Sequence, residues 1–178
     1  GAVYQGTVEN GIVRGEGTFS FANGDVYSGE VEDGTMHGKR KYIYRDKRVY
    51  DGEFVLGMKE GNGVFKYSDS SQYTGTFRDD QFHGDGEYLF ADGSKYIGEF
   101  RNGSFNGQGQ LEYSDGSLYK GAFKNDLPHG VGVFSSSDGS VYEGEFDKGR
   151  RNGVGKLTLA NGAVYEGSFE DDELISTQ

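Results

Sequence analysis

The sequence predicts an all-β fold: an elongated, single-layer, twisted antiparallel sheet of consecutive β-hairpins. Three observations predict it. Tyrosine recurs every 23 residues, at 4, 27, 50, 73, 96, 119, 142 and 165, with no insertion or deletion. Counted from each of these tyrosines as position 0, every glycine except Gly1 falls at positions 2, 7, 11, 13 or 20. Aromatic and small polar residues alternate around Asn-Gly or Asp-Gly pairs, the period-2 pattern of strands joined by tight turns.

Residues 1–178 therefore read as one array, with seven full repeats starting at Tyr4, Tyr27, Tyr50, Tyr73, Tyr96, Tyr119 and Tyr142 and a half repeat at Tyr165. Within a unit, GTFSFANGDVYSGEV shows the order of elements. Phe19 and Phe21 mark one strand, Asn23-Gly24 the turn, and Tyr27, Gly29 and Val31 the returning strand, all on one face. Asn-Gly or Asp-Gly recurs at 92–93, 115–116, 138–139 and 161–162, which suits two-residue type I′ hairpins. The glycine two residues after each tyrosine leaves a slot in the pleat, expected to hold a neighbouring aromatic ring. The stretches GTMHG, DQFHG and GRRNG are expected to be loops that reverse the chain. This scheme gives about fifteen strands, each repeat advancing roughly 9.5 Å. Departures concentrate early: Arg40 replaces the second loop glycine, Asp46-Lys47 and Asp69-Ser70 lack the turn glycine, and Ser136, later, replaces a paired aromatic.

These residues resemble the MORN-repeat family, whose unit runs YxGxF, a loop ending in GxG, an aromatic pair and a DG turn. The resemblance spans the chain and implies a scaffold like the MORN-only, linker-free proteins associated with cytoskeletons, lying in the cytoplasm near the cytoskeleton or a membrane. It also brings in a rival reading, since family members have been connected with membranes and phosphoinositides.

Composition narrows the function classes. The net charge of −11 disfavours nucleic acid and anionic membranes, which need basic surfaces. No cysteine is present, so disulfides, thiolate metal sites and cysteine nucleophiles are excluded. No apolar run reaches the length of a membrane helix. The opening GAVY lacks a methionine, so the chain is expected to be part of something longer. NGVGKLT fails as a phosphate loop, because Arg150 stands where its first glycine belongs and Leu157 where Ser or Thr belongs. Nearly identical units offer no unique convergence of acid, base and nucleophile, and no enzyme, cofactor or metal is expected. His37, His83 and His129 all stand at position 10 but two repeats apart, roughly 19 Å from one to the next, too far to share an ion.

A sheet with one aromatic face and no second layer is expected to leave a groove for a protein partner. Its expected lining is Tyr73, Phe77, Tyr96, Phe100, Tyr119, Phe123, Tyr142 and Phe146, with internal packing of these rings as the competing reading. Phe82 and Phe105, the phenylalanines outside the aromatic frame, stand in consecutive loops as candidate contacts or as packing beneath the loop. Lys39, Arg40, Lys41, Arg45, Lys47 and Arg48 form a basic patch suited to lipid headgroups, although alternation spreads it over both faces and favours a solvated surface. The half repeat leaves an open strand edge, where Leu174 and Ile175 are candidates for pairing in a homodimer.

Overall fold

A computed structural model describes residues 1–177. Among them there is no helix; the sixteen strands are antiparallel, in sequence order, and the sheet is open rather than closed into a barrel. Two compact units divide the chain at Ala91 and Asp92. The first holds β1 (Val3–Glu9), β2 (Ile12–Ser20), β3 (Val26–Glu32), β4 (Thr35–Ile43), β5 (Val49–Val55), β6 (Met58–Lys66), β7 (Gln72–Arg78) and β8 (Gln81–Leu89). The second holds β9 (Lys95–Arg101), β10 (Ser104–Glu112), β11 (Leu118–Lys124), β12 (Leu127–Ser135), β13 (Val141–Asp147), β14 (Arg150–Thr158), β15 (Val164–Glu170) and β16 (Glu173–Thr177).

Sixteen strands stand where the repeat count gives about fifteen, because the tail turns back and pairs with β15, setting Leu174 opposite Phe169. The edge of β15 expected to be open is thus occupied by the chain itself. Leu174 is half-buried in that pair, and Ile175 is 60% exposed.

The two kinds of turn exchange the roles expected of them. Type I′ geometry, with positive φ at both central residues, occurs at positions 6 and 7: Asp33 and Gly34 at 48° and 79°, Asn125 and Asp126 at 50° and 70°. At the Asn-Gly and Asp-Gly pairs only the second residue is left-handed, as at Gly116 with φ 86°. There the Gly116 N–H donates to the Tyr113 carbonyl, and the Tyr113 N–H to the Ser117 carbonyl, both at 2.9 Å. This is a three-residue hairpin loop, longer than a type I′ turn. Lys47 and Ser70 keep the same turn at φ 72° and 77° without glycine.

GTMHG, DQFHG and GRRNG are likewise mostly strand rather than loop. The reversal takes two residues, and the long strand begins at once, carrying a left-handed glycine at position 11. That glycine marks a bulge: between Gly98 and Phe100 the short strand advances two residues while β10 advances four, from Phe105 to Gly109.

Aromatic rings replace a conventional core. Tyr27, Tyr50, Tyr73, Tyr96, Tyr119 and Tyr142 are at most 1% exposed. Each of these rings fills the glycine slot of its own repeat instead of a neighbour's ring doing so: a methyl group added at Gly63 would sit 2.6 Å from a Tyr50 ring carbon, and one at Gly52 would collide with its hydroxyl oxygen. Edge-on contacts with two phenylalanines then seal the tyrosine, as when Tyr119 meets its own Phe123 and the following repeat's Phe146, both with centroids 5.0 Å apart.

Candidate functional site

The repeat tyrosine is held by chemistry as well as shape. Its hydroxyl donates to the carbonyl three residues on, at 2.8 Å from Tyr50 to Glu53, 2.9 Å from Tyr96 to Glu99 and 2.9 Å from Tyr119 to Ala122. The bulge draws that carbonyl out of the ladder, and the phenol supplies the missing donor. Burial is the main cause that raises these phenols above their usual range; Tyr119 is pushed up to about 12. At position 3 the Glu99 carboxylate accepts from the Gln108 N–H at 3.0 Å, and Glu145 accepts from the Val154 N–H at 3.3 Å, satisfying the bulge from outside.

Position 9 lays a side chain over the tyrosine ring. Phe82 stacks on Tyr73 at 3.9 Å and 15°, and Phe105 on Tyr96 at 3.8 Å and 6°. Their place is packing over the ring, the second of the two readings given above. Lys59 lies 5.8 Å from the Tyr50 centroid and Arg151 lies 5.6 Å from that of Tyr142, so cations do in other repeats what phenylalanine does in these. The two cations are also paired with Asp80 and Asp172 of the following repeat, at 2.9 and 3.2 Å. Those aspartates, with Asp126, take a role that period and composition did not reveal. Each accepts from the backbone N–H at position 9 of the preceding repeat, at 2.8 to 2.9 Å. Aspartate in place of glycine at position 7 was the available signal.

Of the eight expected groove residues, Tyr73, Phe77, Tyr96, Phe100, Tyr119, Phe123, Tyr142 and Phe146, none exceeds 6% exposure. Their burial makes them the floor of the aromatic face, and its accessible walls are built by other residues. Those come from positions 15 and 17, where Tyr42, Tyr44, Tyr67, Tyr88, Tyr113 and Phe134 are half-exposed. In the first unit these rings form a ladder: Tyr42 to Tyr44 at 4.6 Å, Tyr44 to Phe65 at 5.7 Å, Phe65 to Tyr67 at 4.8 Å and Tyr67 to Tyr88 at 6.1 Å. In the second unit a cleft of about 620 Å³ opens beside the equivalent positions, lined by Tyr113, Phe134, Leu157, Leu159 and Arg151 among others. Ser136 also lines it, at the position where other repeats carry a ring or a leucine.

Half of the basic patch is balanced within the chain. Lys39 pairs with Glu53 at 3.3 Å, Arg40 pairs with Glu16, and Arg48 pairs with Asp46 at 2.8 Å. Arg40 lies across Gly29 in the place its repeat's missing glycine leaves. Lys41, Arg45 and Lys47 are exposed, and Lys47 lies in a turn. Among the histidines, His37 faces Glu32 and His129 faces Asp147, at 3.7 and 3.2 Å.

Comparison with known proteins agrees with this architecture. A search of curated protein sequences gives no match. Among solved structures, the chain is similar to the SAS-4 (dCPAP) TCP domain of Drosophila melanogaster in complex with a proline-rich motif of Ana2 (dSTIL). That similarity has 16% identity and a TM-score of 0.52, and covers 88% of this chain and 85% of that one. It is also similar to the TCP10 domain of Danio rerio CPAP in complex with a STIL peptide, with 16% identity and a TM-score of 0.51, over 86% of this chain and 68% of that one. At such identities the likeness is one of fold. The family profile for the MORN repeat matches residues 4–26, 27–47, 50–72, 73–95, 96–118, 119–141 and 142–164, and the chain accordingly belongs to the MORN-repeat family.

Proposed function

We propose that this chain is a non-enzymatic scaffold that holds a peptide segment of a partner protein against the half-exposed second row of its aromatic face. The observation that carries the reading is the 620 Å³ cleft, a concave surface with an apolar floor and a few polar groups at its rim. Units that present nearly the same side chains at every step favour recognition along a surface over catalysis at a point. Two proteins of similar fold are described in complex with peptides, which supports a peptide as the occupant. Placement in the cytoplasm beside the cytoskeleton rests on the family resemblance alone. The internal pairing of Lys39, Arg40 and Arg48 weighs against the lipid-headgroup alternative.

The test is affinity capture with cross-linking from cell extract, analysing recovered proteins and lipids together. A captured protein should cross-link beside the aromatic face and be lost from a Tyr67→Ala, Tyr113→Ala variant whose circular dichroism is unchanged. Recovery of phosphoinositide without protein, or capture that the folded double variant leaves intact, would overturn the reading.

A further inference from the structure

We propose that the cleft at Ser136 is an anchor pocket that takes one aromatic side chain from a partner segment bearing Lys or Arg beside it. The proposal rests on the scaffold reading and adds to it the place and chemistry of the contact.

The shape argument comes from the ladder. Where position 17 carries a ring it packs on the ring at position 15, at 4.6 to 4.8 Å in Tyr42–Tyr44, Phe65–Tyr67 and Tyr88–Phe90 and at 5.9 Å in Phe19–Phe21. The next repeat's position 15 then stands 5.7 to 6.1 Å beyond it, as in Tyr44–Phe65 and Tyr67–Tyr88. In the second unit Tyr113 reaches Phe134 at 6.2 Å, and the succession of rings stops at Ser136. Phe134 therefore has a ring on one side and an open cleft on the other, with Leu157 and Leu159 as the far wall. A ring supplied from outside would restore the stacking geometry that the neighbouring repeats build for themselves.

Charge selects what accompanies the ring. Asp138 and Asp115 stand at the rim, and the Ser140 N–H, donating at 2.8 Å, holds the Asp138 carboxyl below its ordinary range and so anionic. Arg151, the cation in the cleft, is already committed: it donates to the Asp172 carboxylate at 3.2 Å and to the Asp172 carbonyl at 2.6 Å. The rim thus keeps two carboxylates without a lysine or arginine partner among the described residues, in a chain of net charge −11. A cationic segment is attracted and an acidic one repelled.

The experiment titrates acetyl-Lys-Phe-Lys-amide into the ¹⁵N-labelled chain, with acetyl-Lys-Ala-Lys-amide as the comparison. Shifts are expected at Tyr113, at Phe134 through Ser140 and at Leu157 through Leu159, with the phenylalanine peptide binding about tenfold or more tightly. Ser136→Tyr fills the vacancy and should remove these shifts while raising Tm by about 2–4 °C. Asp138→Asn leaves the cleft open and should weaken the peptide severalfold, which provides a test independent of how the tyrosine variant folds. Equal binding of the two peptides, undiminished binding by Ser136→Tyr, or indifference to Asp138→Asn would overturn the pocket. Should the pocket fail while capture still depends on Tyr67 and Tyr113, the scaffold reading stands and the partner sits elsewhere on the face.

Discussion

The tyrosine at position 0 does two things that phenylalanine cannot do together. Its ring covers a pair of glycines, and its hydroxyl satisfies a carbonyl that the bulge has taken out of the ladder. Burying the phenol this way has a consequence for pH. An ordinary tyrosine ionises near 10.0, whereas burial, the largest cause, pushes Tyr119 to about 12, and Tyr50, Tyr73 and Tyr96 are raised for the same reason. Between those values the folded chain holds protons that the unfolded chain has released. The stability these phenols contribute is therefore intact below pH 10 and declines as pH rises through about 12. An alkaline titration should show phenolate absorbance and loss of strand circular dichroism rising together. Phenolate formation complete near pH 10 with the strand signal intact would contradict this account.

At the scale of the element, each hairpin is asymmetric. A long strand pairs regularly with the short strand that follows it and through a bulge with the one before, as β10 does with β11 and β9. Two classes of glycine make this work, and they should respond differently to substitution. Gly109 has an extended backbone, but a methyl group there would lie 2.5 Å from the Tyr96 hydroxyl oxygen, so the ring would have to leave its slot. Gly116 has open space around it and a left-handed φ of 86°. Gly109→Ala is expected to cost about 2–4 kcal/mol through overpacking and the lost hydrogen bond. Gly116→Ala should cost only the left-handed backbone penalty, about 1–2 kcal/mol. Urea denaturation of the two variants orders them, and the reverse order would mean that the slot is not what holds the ring.

At the scale of the whole molecule, each interior tyrosine depends on the repeat that follows. Tyr142 is covered by Phe169 at 5.0 Å, whereas Tyr165 has no following repeat among the described residues and is 42% exposed. Backbone links also join successive repeats, as when the Asp126 N–H donates to the Phe105 carbonyl at 3.1 Å. Such a chain stabilises itself by nearest-neighbour terms, so local opening should be graded along it. Native-state hydrogen exchange is expected to be faster in β1, β2, β15 and β16 than in β5 to β7 and β11 to β13. Uniform protection in all of these strands would show a single cooperative unit instead.

The sequence by itself determined the period, the antiparallel hairpins, the shared face of the aromatics and the family. Those features follow from local spacing, because every strand in each unit pairs with a sequence neighbour. Depth did not follow from spacing. Alternation assigns a side chain to a face but not to a layer on that face, so Tyr96 and Tyr113 look alike in the sequence although one is buried and the other half-exposed. The tertiary structure decided that the ring at position 0 lies down into its own glycine slot while positions 15 and 17 stand above it. It also decided the turns, since left-handed pairs such as Asn125-Asp126 contain no glycine, and the edge of β15, since the tail that covers it lies outside the tyrosine period. The physical reason is common to all three: bulges, ring stacking and tail pairing depend on contacts between elements, which a residue pattern read along one strand does not encode.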